Sequence, residues 1–349
     1  MRHYKEHLIL SGSSIREALK VFNKLGKDAI SFVVDKDDKL IGSLTDGDVR
    51  RGLLQGVNLD QSVNVIIQSN PRFIRKGDRD IEKVIEYREN NFKVIPILDK
   101  SDHIVNVINF GKLKSYLPVD VVVMAGGKGT RLRPLTETTP KPLLNVGGKP
   151  ILEHNIHRLS LFGMDDFWIS VNYLGEQIEE YFGNGNDKNL NIEYVWEEEP
   201  LGTVGSVSKI NNFIHDYILV TNSDILTNLD YEDFFLRFKE EEADFAVVTI
   251  PYKVDVPYAV LETTNGHVMS FKEKPTYTYY SNGGIYLMKR EIIDRIPKNS
   301  FYDTTDLMEE LIADGKKVLS YPLSGYWLDI GKHEDFEKAQ EDIKTIKFS

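Results

Sequence analysis

The sequence predicts an α/β protein in two parts: a doubly wound, largely parallel sheet preceded by a smaller α+β module built from a repeat. Three observations predict it. The run Val119-Asp120-Val121-Val122-Val123-Met124-Ala125 is short and β-branched, as a buried parallel strand requires, and glycines follow it at once. Upstream of that strand, one order of helix, strand, turn and strand occurs twice. The charge also divides there. Residues 1–118 hold 20 Lys/Arg against 16 Asp/Glu, whereas 119–349 hold 23 against 38, so parts of opposite net charge share one chain.

A chain of 349 residues accommodates two domains of ~100–200 residues. With 41% hydrophobic and 28% charged residues it reads as globular and is too apolar for disorder. No apolar run approaches the ~18 residues of a membrane span. The stretch Met1-Arg2-His3-Tyr4-Lys5-Glu6-His7 breaks into charge before any secretory h-region, so a cytoplasmic location with no membrane partner is expected. The absence of cysteine excludes a disulfide scaffold, a thiolate nucleophile, a Cys-ligated zinc and an iron–sulfur cluster. A net charge of −11 argues against a general grip on nucleic acid.

In the first part, Ile15, Ala18, Leu19 and Phe22 recur at helical spacing. Residues 30–35 and 40–44 read as strands around an Asp37-Asp38 turn, and Asp46 to Leu54 reads as a helix with an acidic first turn. The order returns with a helix at 80–90 and strands at 94–99 and 104–108. Asn109-Phe110-Gly111-Lys112 then stands where a second closing helix is expected. Each copy is too small to close a core alone, so the two should pair. This half resembles a tandem CBS (Bateman) module over about residues 8–117, chiefly through Gly42-Ser43-Leu44-Thr45-Asp46-Gly47-Asp48. The resemblance implies that Thr45 and Asp48 hold the phosphate and ribose of an adenine nucleotide. The second copy has Asn109 and Lys112 at the matching places, so at most one site per chain is expected. The same residues would equally make an ordinary capped helix.

The chemistry sits after the seam, in Gly126-Gly127-Lys128-Gly129-Thr130-Arg131-Leu132-Arg133-Pro134-Leu135-Thr136 and Thr139-Pro140-Lys141-Pro142-Leu143-Leu144. A Walker A loop is excluded, because no Gly-Lys pair is followed by Ser or Thr; Gly129 and Pro150 follow the two pairs in this region. The dinucleotide fingerprint fails at Leu132, where it needs glycine. What remains is a glycine turn with nearby cations, suited to a polyphosphate. Asp224, after the apolar run 218–223, and Asp329, after Trp327-Leu328, are two carboxylates in similar settings. An isolated buried carboxylate is costly, and Mg²⁺ takes one or two carboxylates plus phosphate oxygens. His154 and His157 share a helix without a third ligand and read as packing. Of the run Glu197-Glu198-Glu199, only Glu199 is expected at the site. Tyr277, Tyr279 and Tyr280 are left open between pocket lining and packing.

These motifs, in order, are similar to those of the sugar-1-phosphate nucleotidyltransferases over residues 119–340. The matching segments are Gly126 to Thr136, Pro140 to Leu144, Glu199-Pro200-Leu201-Gly202-Thr203, Thr221-Asn222-Ser223-Asp224, Glu273-Lys274-Pro275, Asn282-Gly283-Gly284 and Trp327-Leu328-Asp329. The resemblance implies a Rossmann-like doubly wound nucleotidyltransferase domain at 118–349, preceded by an α+β CBS-domain pair at 1–117. It implies that Ala125, Gly126, Gly127, Gly129, Thr130, Arg131, Gly202 and Thr203 hold the nucleotide. Glu273, Lys274 and Asn282 would hold the sugar phosphate, Arg131 and Lys141 would act on the phosphates, and Asp224 and Asp329 would hold Mg²⁺.

The implied reaction joins a nucleoside triphosphate and a sugar-1-phosphate to give an NDP-sugar and pyrophosphate. The attacking phosphate is already ionised, so no dedicated base is needed; alignment and charge neutralisation suffice. The 140–144 and 199–203 segments are most similar to the guanylyltransferase branch, acting on mannose-1-phosphate or glucosamine-1-phosphate for surface-glycan or nonulosonic-acid precursors. The alternatives are the same reaction with UTP, dTTP or CTP, and a non-catalytic sugar-nucleotide-sensing subunit. Homo-oligomerisation is also expected.

Overall fold

The computed structural model describes residues 3–77 and 80–346. The first repeat comprises β1 (Leu8–Leu10), α1 (Ile15–Leu25), β2 (Ile30–Val34), β3 (Leu40–Thr45) and α2 (Asp46–Leu54). Strand β2 lies between β1, which is parallel to it, and β3, which is antiparallel. Helix α1 begins in a capping box: the Ser14 hydroxyl accepts from the Glu17 amide while the Glu17 carboxylate accepts from the Ser14 amide. Its buried stripe is Ile15, Ala18 and Phe22.

The second repeat has β4 (Ile74–Arg75), α3 (Ile81–Glu89), β5 (Val94–Leu98) and β6 (Ile104–Asn109), paired in the same way. Phe32 and Val34 of the first sheet share a cluster with Val94, Leu98 and Ile104 of the second, so the two halves close each other's core. The expected closing helix of the second half does not form. Amides of Lys112 and Leu113 bond the Asn109 carbonyl, and the Asn109 side chain accepts from the Gly111 amide. The result is a single turn, and the chain must reach the next strand at Val119 within a few residues.

That strand, β7 (Val119–Met124), is followed by a short β8–β9 hairpin (Asn145–Val146, Lys149–Pro150) and α4 (Ile151–Ser160). Then come β10 (Asp166–Val171), α5 (Gly175–Phe182), β11 (Asn191–Trp196), β12 (Tyr217–Asn222), β13 (Ile225–Thr227) and α6 (Tyr231–Glu240). The chain finishes with β14 (Phe245–Asp255), β15 (Val260–Thr264), β16 (His267–Lys272), β17 (Thr276–Lys289), α7 (Thr304–Ala313), β18 (Val318–Pro322), β19 (Trp327–Asp329) and α8 (His333–Asp342). Seven strands form one sheet in the order β11-β10-β7-β12-β17-β14-β18. Only β17 runs antiparallel to its neighbours.

Alternation along these strands feeds two cores. Val121, Val123, Phe167, Ile169 and Leu219 face helices α4 and α6, meeting Leu152, Ile156, Phe234 and Phe238. Val122, Trp168, Ile218 and Val220 face the other way, toward Leu307 and Leu311 of α7. A sheet covered on both faces needs continuous apolar strands, which explains the β-branched run. Strands β14 and β17 continue past the sheet as a paired arm, Ile250 opposite Ser281 out to Asp255 opposite Thr276, with the β15–β16 hairpin beyond it. Among the described residues, no helix is long and apolar enough to cross a membrane.

The two parts pack tightly. Ile81, Val84 and Tyr87 of α3 belong to the same core as Phe162 and Phe234. The Arg88 guanidinium reaches both Glu232 oxygens, at 2.9 and 2.8 Å. A side chain at Gly163 (φ +78°) would put its Cβ 2.5 Å from the Tyr116 Cα, so glycine permits this approach.

Candidate active site

The parallel strands β7, β10 and β12 end side by side, and the residues after each line one cavity of about 610 Å³. Ala125 to Arg131 follow β7, Asn172 follows β10, and Asn222 to Asp224 close β12. This is where an open α/β sheet offers a crevice. Gly129 is left-handed (φ +58°), and a Cβ there would lie 3.0 Å from Thr136 and 3.1 Å from Lys141. The Thr136 hydroxyl fixes the turn by donating to the Gly129 carbonyl at 2.8 Å. The loop therefore borders the cavity with backbone, and the space around Gly127 is open.

The two aspartates meet through a small antiparallel pair. Strand β13 pairs with β19 so that Ile225 stands opposite Asp329, and the Ile330 amide donates to the Asp224 carbonyl at 3.0 Å. Lys141 enters from the other side, 9% exposed. Its ammonium donates to Asp224 Oδ2 and lies 3.9 Å from Asp329 Oδ1. Asp224 Oδ1 and Asp329 Oδ1 are both buried and accept no hydrogen bond. Burial raises the Asp329 carboxyl above its ordinary value, and the Asp224 charge adds to this, against the pull of Lys141 and Arg131. Arg131 stands at the same corner, its guanidinium 3.3 Å from where a Cβ on Gly331 would be. Two carboxylates with bare oxygens beside a polyphosphate-sized cavity are donors that could hold a hard divalent cation.

Gly202 and Thr203 line the same cavity. The Thr203 amide and hydroxyl donate to Asp303 Oδ1 at 2.9 and 3.1 Å, and the Val204 amide bonds the Tyr302 carbonyl at 3.2 Å. This anchors the loop at the start of α7. The expected sugar-side residues are not gathered with them. Asn282 stands at the base of the arm, its Oδ1 accepting from the Gly284 amide at 2.9 Å. Glu273 and Lys274 lie exposed in the turn between β16 and β17, outside the cavity lining, and Tyr279 and Tyr280 are exposed with them. The arm carries them away because its β14–β17 ladder continues beyond the sheet.

In the first repeat, Thr45 and Asp48 are engaged with each other. Asp48 Oδ2 accepts from the Thr45 amide and hydroxyl at 2.8 and 2.6 Å, while Oδ1 accepts from Gln68 at 3.0 Å and from Arg51. They form the capping box of α2, so the capped-helix reading describes their geometry.

Sequence reasoning missed Asn172, Asn222, Glu197 and Phe301, all of which line the cavity. The rule that ligands gather at the carboxyl ends of parallel strands could have found Asn172 and Asn222. In the glutamate run it is Glu197, not the expected Glu199, that reaches the site. Glu197 is buried, accepting from the Ser170 hydroxyl and from the Leu201 amide at 3.0 Å, whereas Glu199 is exposed. It follows β11 directly, with its amide bonded to the Val171 carbonyl, which turns its side chain inward. His154 donates to the Val146 carbonyl at 2.8 Å, a packing role.

Comparison with known proteins matches residues 120–346 to the nucleotidyl transferase family model and residues 7–55 to the CBS domain model. A mannose-1-phosphate guanylyltransferase of Mycobacterium tuberculosis is 35% identical, the match covering 64% of each chain. A UTP–glucose-1-phosphate uridylyltransferase of Synechocystis is 33% identical over 65% of each. A D-glycero-α-D-manno-heptose 1-phosphate guanylyltransferase of Aneurinibacillus thermoaerophilus is 30% identical over 65% of this chain and 99% of its own. The chain thus spans just under two thirds of the length of the first two of these relatives.

Proposed function

Because the chain belongs to the nucleotidyl transferase family and carries a CBS domain ahead of it, we propose that it transfers a nucleotidyl group from a nucleoside triphosphate to a sugar-1-phosphate. GTP is the favoured donor, and pyrophosphate leaves. The observation that carries this reading is the Lys141 ammonium held between Asp224 and Asp329, beside a cavity bordered by the bare backbone of Gly126 to Thr130.

The loop amides and Arg131 take the leaving pyrophosphate, and Lys141 takes a phosphate oxygen. The sugar phosphate attacks as an anion, so alignment and charge compensation are the tasks left to the protein. The orphaned oxygens of Asp224 and Asp329 suit Mg²⁺, which when bound would neutralise charge between the two phosphates. Glu273 and Lys274 would meet the sugar phosphate once the arm bends over the cavity. Gly283 and Gly284 at its base pack closely, a Cβ on either lying 2.7 Å from the Val248 carbonyl or the Asn222 side chain.

The guanylyl preference rests on the 140–144 and 199–203 segments and is supported by guanylyltransferases among the relatives; the uridylyltransferase is the competing case. The NDP-sugar product would feed surface-glycan or nonulosonic-acid synthesis. Residues 1–117 would form the regulatory CBS pair and 118–349 the catalytic domain. An adenine nucleotide would have to exchange with the Thr45–Asp48 bonds to enter the first repeat. The test is a pyrophosphate-release screen of GTP, UTP, dTTP and CTP against mannose-, glucose- and glucosamine-1-phosphate. Release with GTP well above the others supports the reading, and a clear UTP or dTTP preference overturns the guanylyl assignment. Release from no pair overturns the transferase itself.

A further inference from the structure

At the end of the sheet away from the cavity, three side chains converge that the transfer reaction does not use. Asp120 is the second residue of β7, Asp166 opens β10, and His215 lies just before β12. They are 0%, 1% and 4% exposed. The β7–β10 register pairs Val121 with Phe167, so Asp120 and Asp166 stand on adjacent strands, on one face of the sheet.

Asp120 carries a bare donor oxygen, the unpartnered nitrogen of His215 is Nδ1, and the second oxygen of Asp166 is held only by its ion pair to Lys76. Asp120 Oδ2 accepts from the Ile214 and His215 amides at 2.7 and 2.8 Å, but Oδ1 has no hydrogen-bond partner. Asp166 Oδ1 accepts from Lys76 at 3.1 Å and Asn191 at 3.3 Å, while Oδ2 accepts no hydrogen bond and faces the Lys76 ammonium at 3.1 Å. His215 Nε2 lies 3.9 Å from Asp166 Oδ2 and 4.0 Å from Asp120 Oδ1. The converging atoms all lie within 4.8 Å of one another. Burial pushes the Asp120 carboxyl up to about 7, so the second buried carboxylate calls for either a proton or a further cation beside the one ammonium.

We propose that Asp120, Asp166 and His215 form a binding site for Zn²⁺, separate from the Asp224–Asp329 pair. One imidazole nitrogen and two carboxylate oxygens are a zinc donor set rather than a magnesium one. Bonds of ~2.0–2.2 Å at tetrahedral angles require donors roughly 3.4 Å apart, so small side-chain rotations close the observed gaps. Lys76 need not leave, since it can keep Asp166 Oδ1 and orient the carboxylate from outside the ion.

Beside Asp166 and Lys76, on a side that neither Asp120 nor His215 lines, is a cavity of about 20 Å³, also lined by Tyr116, which is the size of one water. The Tyr116 hydroxyl is buried there without a partner. Lys76 belongs to the N-terminal module, so an ion here would tie that module to the base of the catalytic sheet.

The test is Zn²⁺ binding by the full chain, with stoichiometry from equilibrium dialysis and ligand type from X-ray absorption at one equivalent. No histidine lines the cavity beside Asp224 among the described residues, so zinc held there should show oxygen scattering without imidazole. Wild type should show imidazole scattering, and His215→Gln should lose both that signal and one equivalent of zinc. Lys76→Met removes a like charge 3.1 Å from the donor Asp166 Oδ2 and should tighten zinc binding about tenfold. It also decides the matter should His215→Gln misfold. Oxygen-only scattering in wild type, an unchanged stoichiometry in His215→Gln, or unaltered affinity in Lys76→Met would overturn the site. None of these results depends on nucleotidyl transfer.

Discussion

Lys141→Met isolates the electrostatics of the candidate active site. The side chain keeps its length and loses its charge, leaving Asp224 and Asp329 to face each other. Lys141 and Asp224 are 11% and 19% exposed at their side chains, whereas Asp329 is 41% exposed. Removing one partner of a buried ion pair costs ~3–5 kcal/mol. Partial solvation of Asp329 places this case at the low end, about 3 kcal/mol. For a domain of this size that is a fall in Tm of roughly 6–12 °C. Mg²⁺ at a hundredfold over its Kd would return ~2.7 kcal/mol, most of the loss. In wild type the ion must first displace the ammonium, so its stabilisation should be smaller. Thermal unfolding with and without MgCl₂ reads both effects. A Lys141→Met melting point indifferent to Mg²⁺, or an equal rise in both proteins, would refute the idea that ammonium and divalent ion share these carboxylates.

Gly129→Ala imposes a side chain at φ +58° against Thr136, a strain of ~1–2 kcal/mol. It should lower kcat/KM for the triphosphate more than it lowers Tm, as steady-state kinetics beside a melting curve would show. Arg88→Ala removes the paired bonds to Glu232 and should destabilise the junction by ~1.5–3 kcal/mol, visible as faster proteolysis near residues 110–118; wild-type protease resistance would contradict it. Burial pushes the Asp48 carboxyl up, but bonds from Thr45, Gln68 and Arg51 outweigh it and hold the group below its ordinary value. Its stabilisation is therefore complete above the unfolded value of ~3.9 and lost as pH falls through the folded one. Asp48→Asn should flatten the acid limb of the stability profile, and superimposable limbs would count against this.

The strand at 119–124 and the loop after it were legible because a doubly covered parallel strand and a phosphate turn leave strong local signals: β-branched residues, then glycines. Asp224 and Asp329 were legible as two carboxylates in similar settings, and the resemblance strengthened their pairing; what joins them is the β13–β19 register, which no local pattern encodes. Three consecutive glutamates carry no phase, so the inward turn of Glu197 could not be read. Glu273 and Lys274 show the opposite limit. Their motif is intact, but where it sits depends on how far the β14–β17 ladder runs before bending. Asp120, Asp166 and His215 were invisible for the same reason as the β13–β19 pair, being brought together by strand order alone.

The fate of the α-phosphate tests the central claim most directly. The wild-type chain would be incubated with Mg²⁺, a sugar-1-phosphate and GTP labelled at either the α or the γ phosphorus. The account predicts that α label appears in a sugar nucleotide and γ label in pyrophosphate, in equal amounts, and that both vanish in Asp224→Asn. Label released as inorganic phosphate, or product formed equally well by Asp224→Asn, would contradict it.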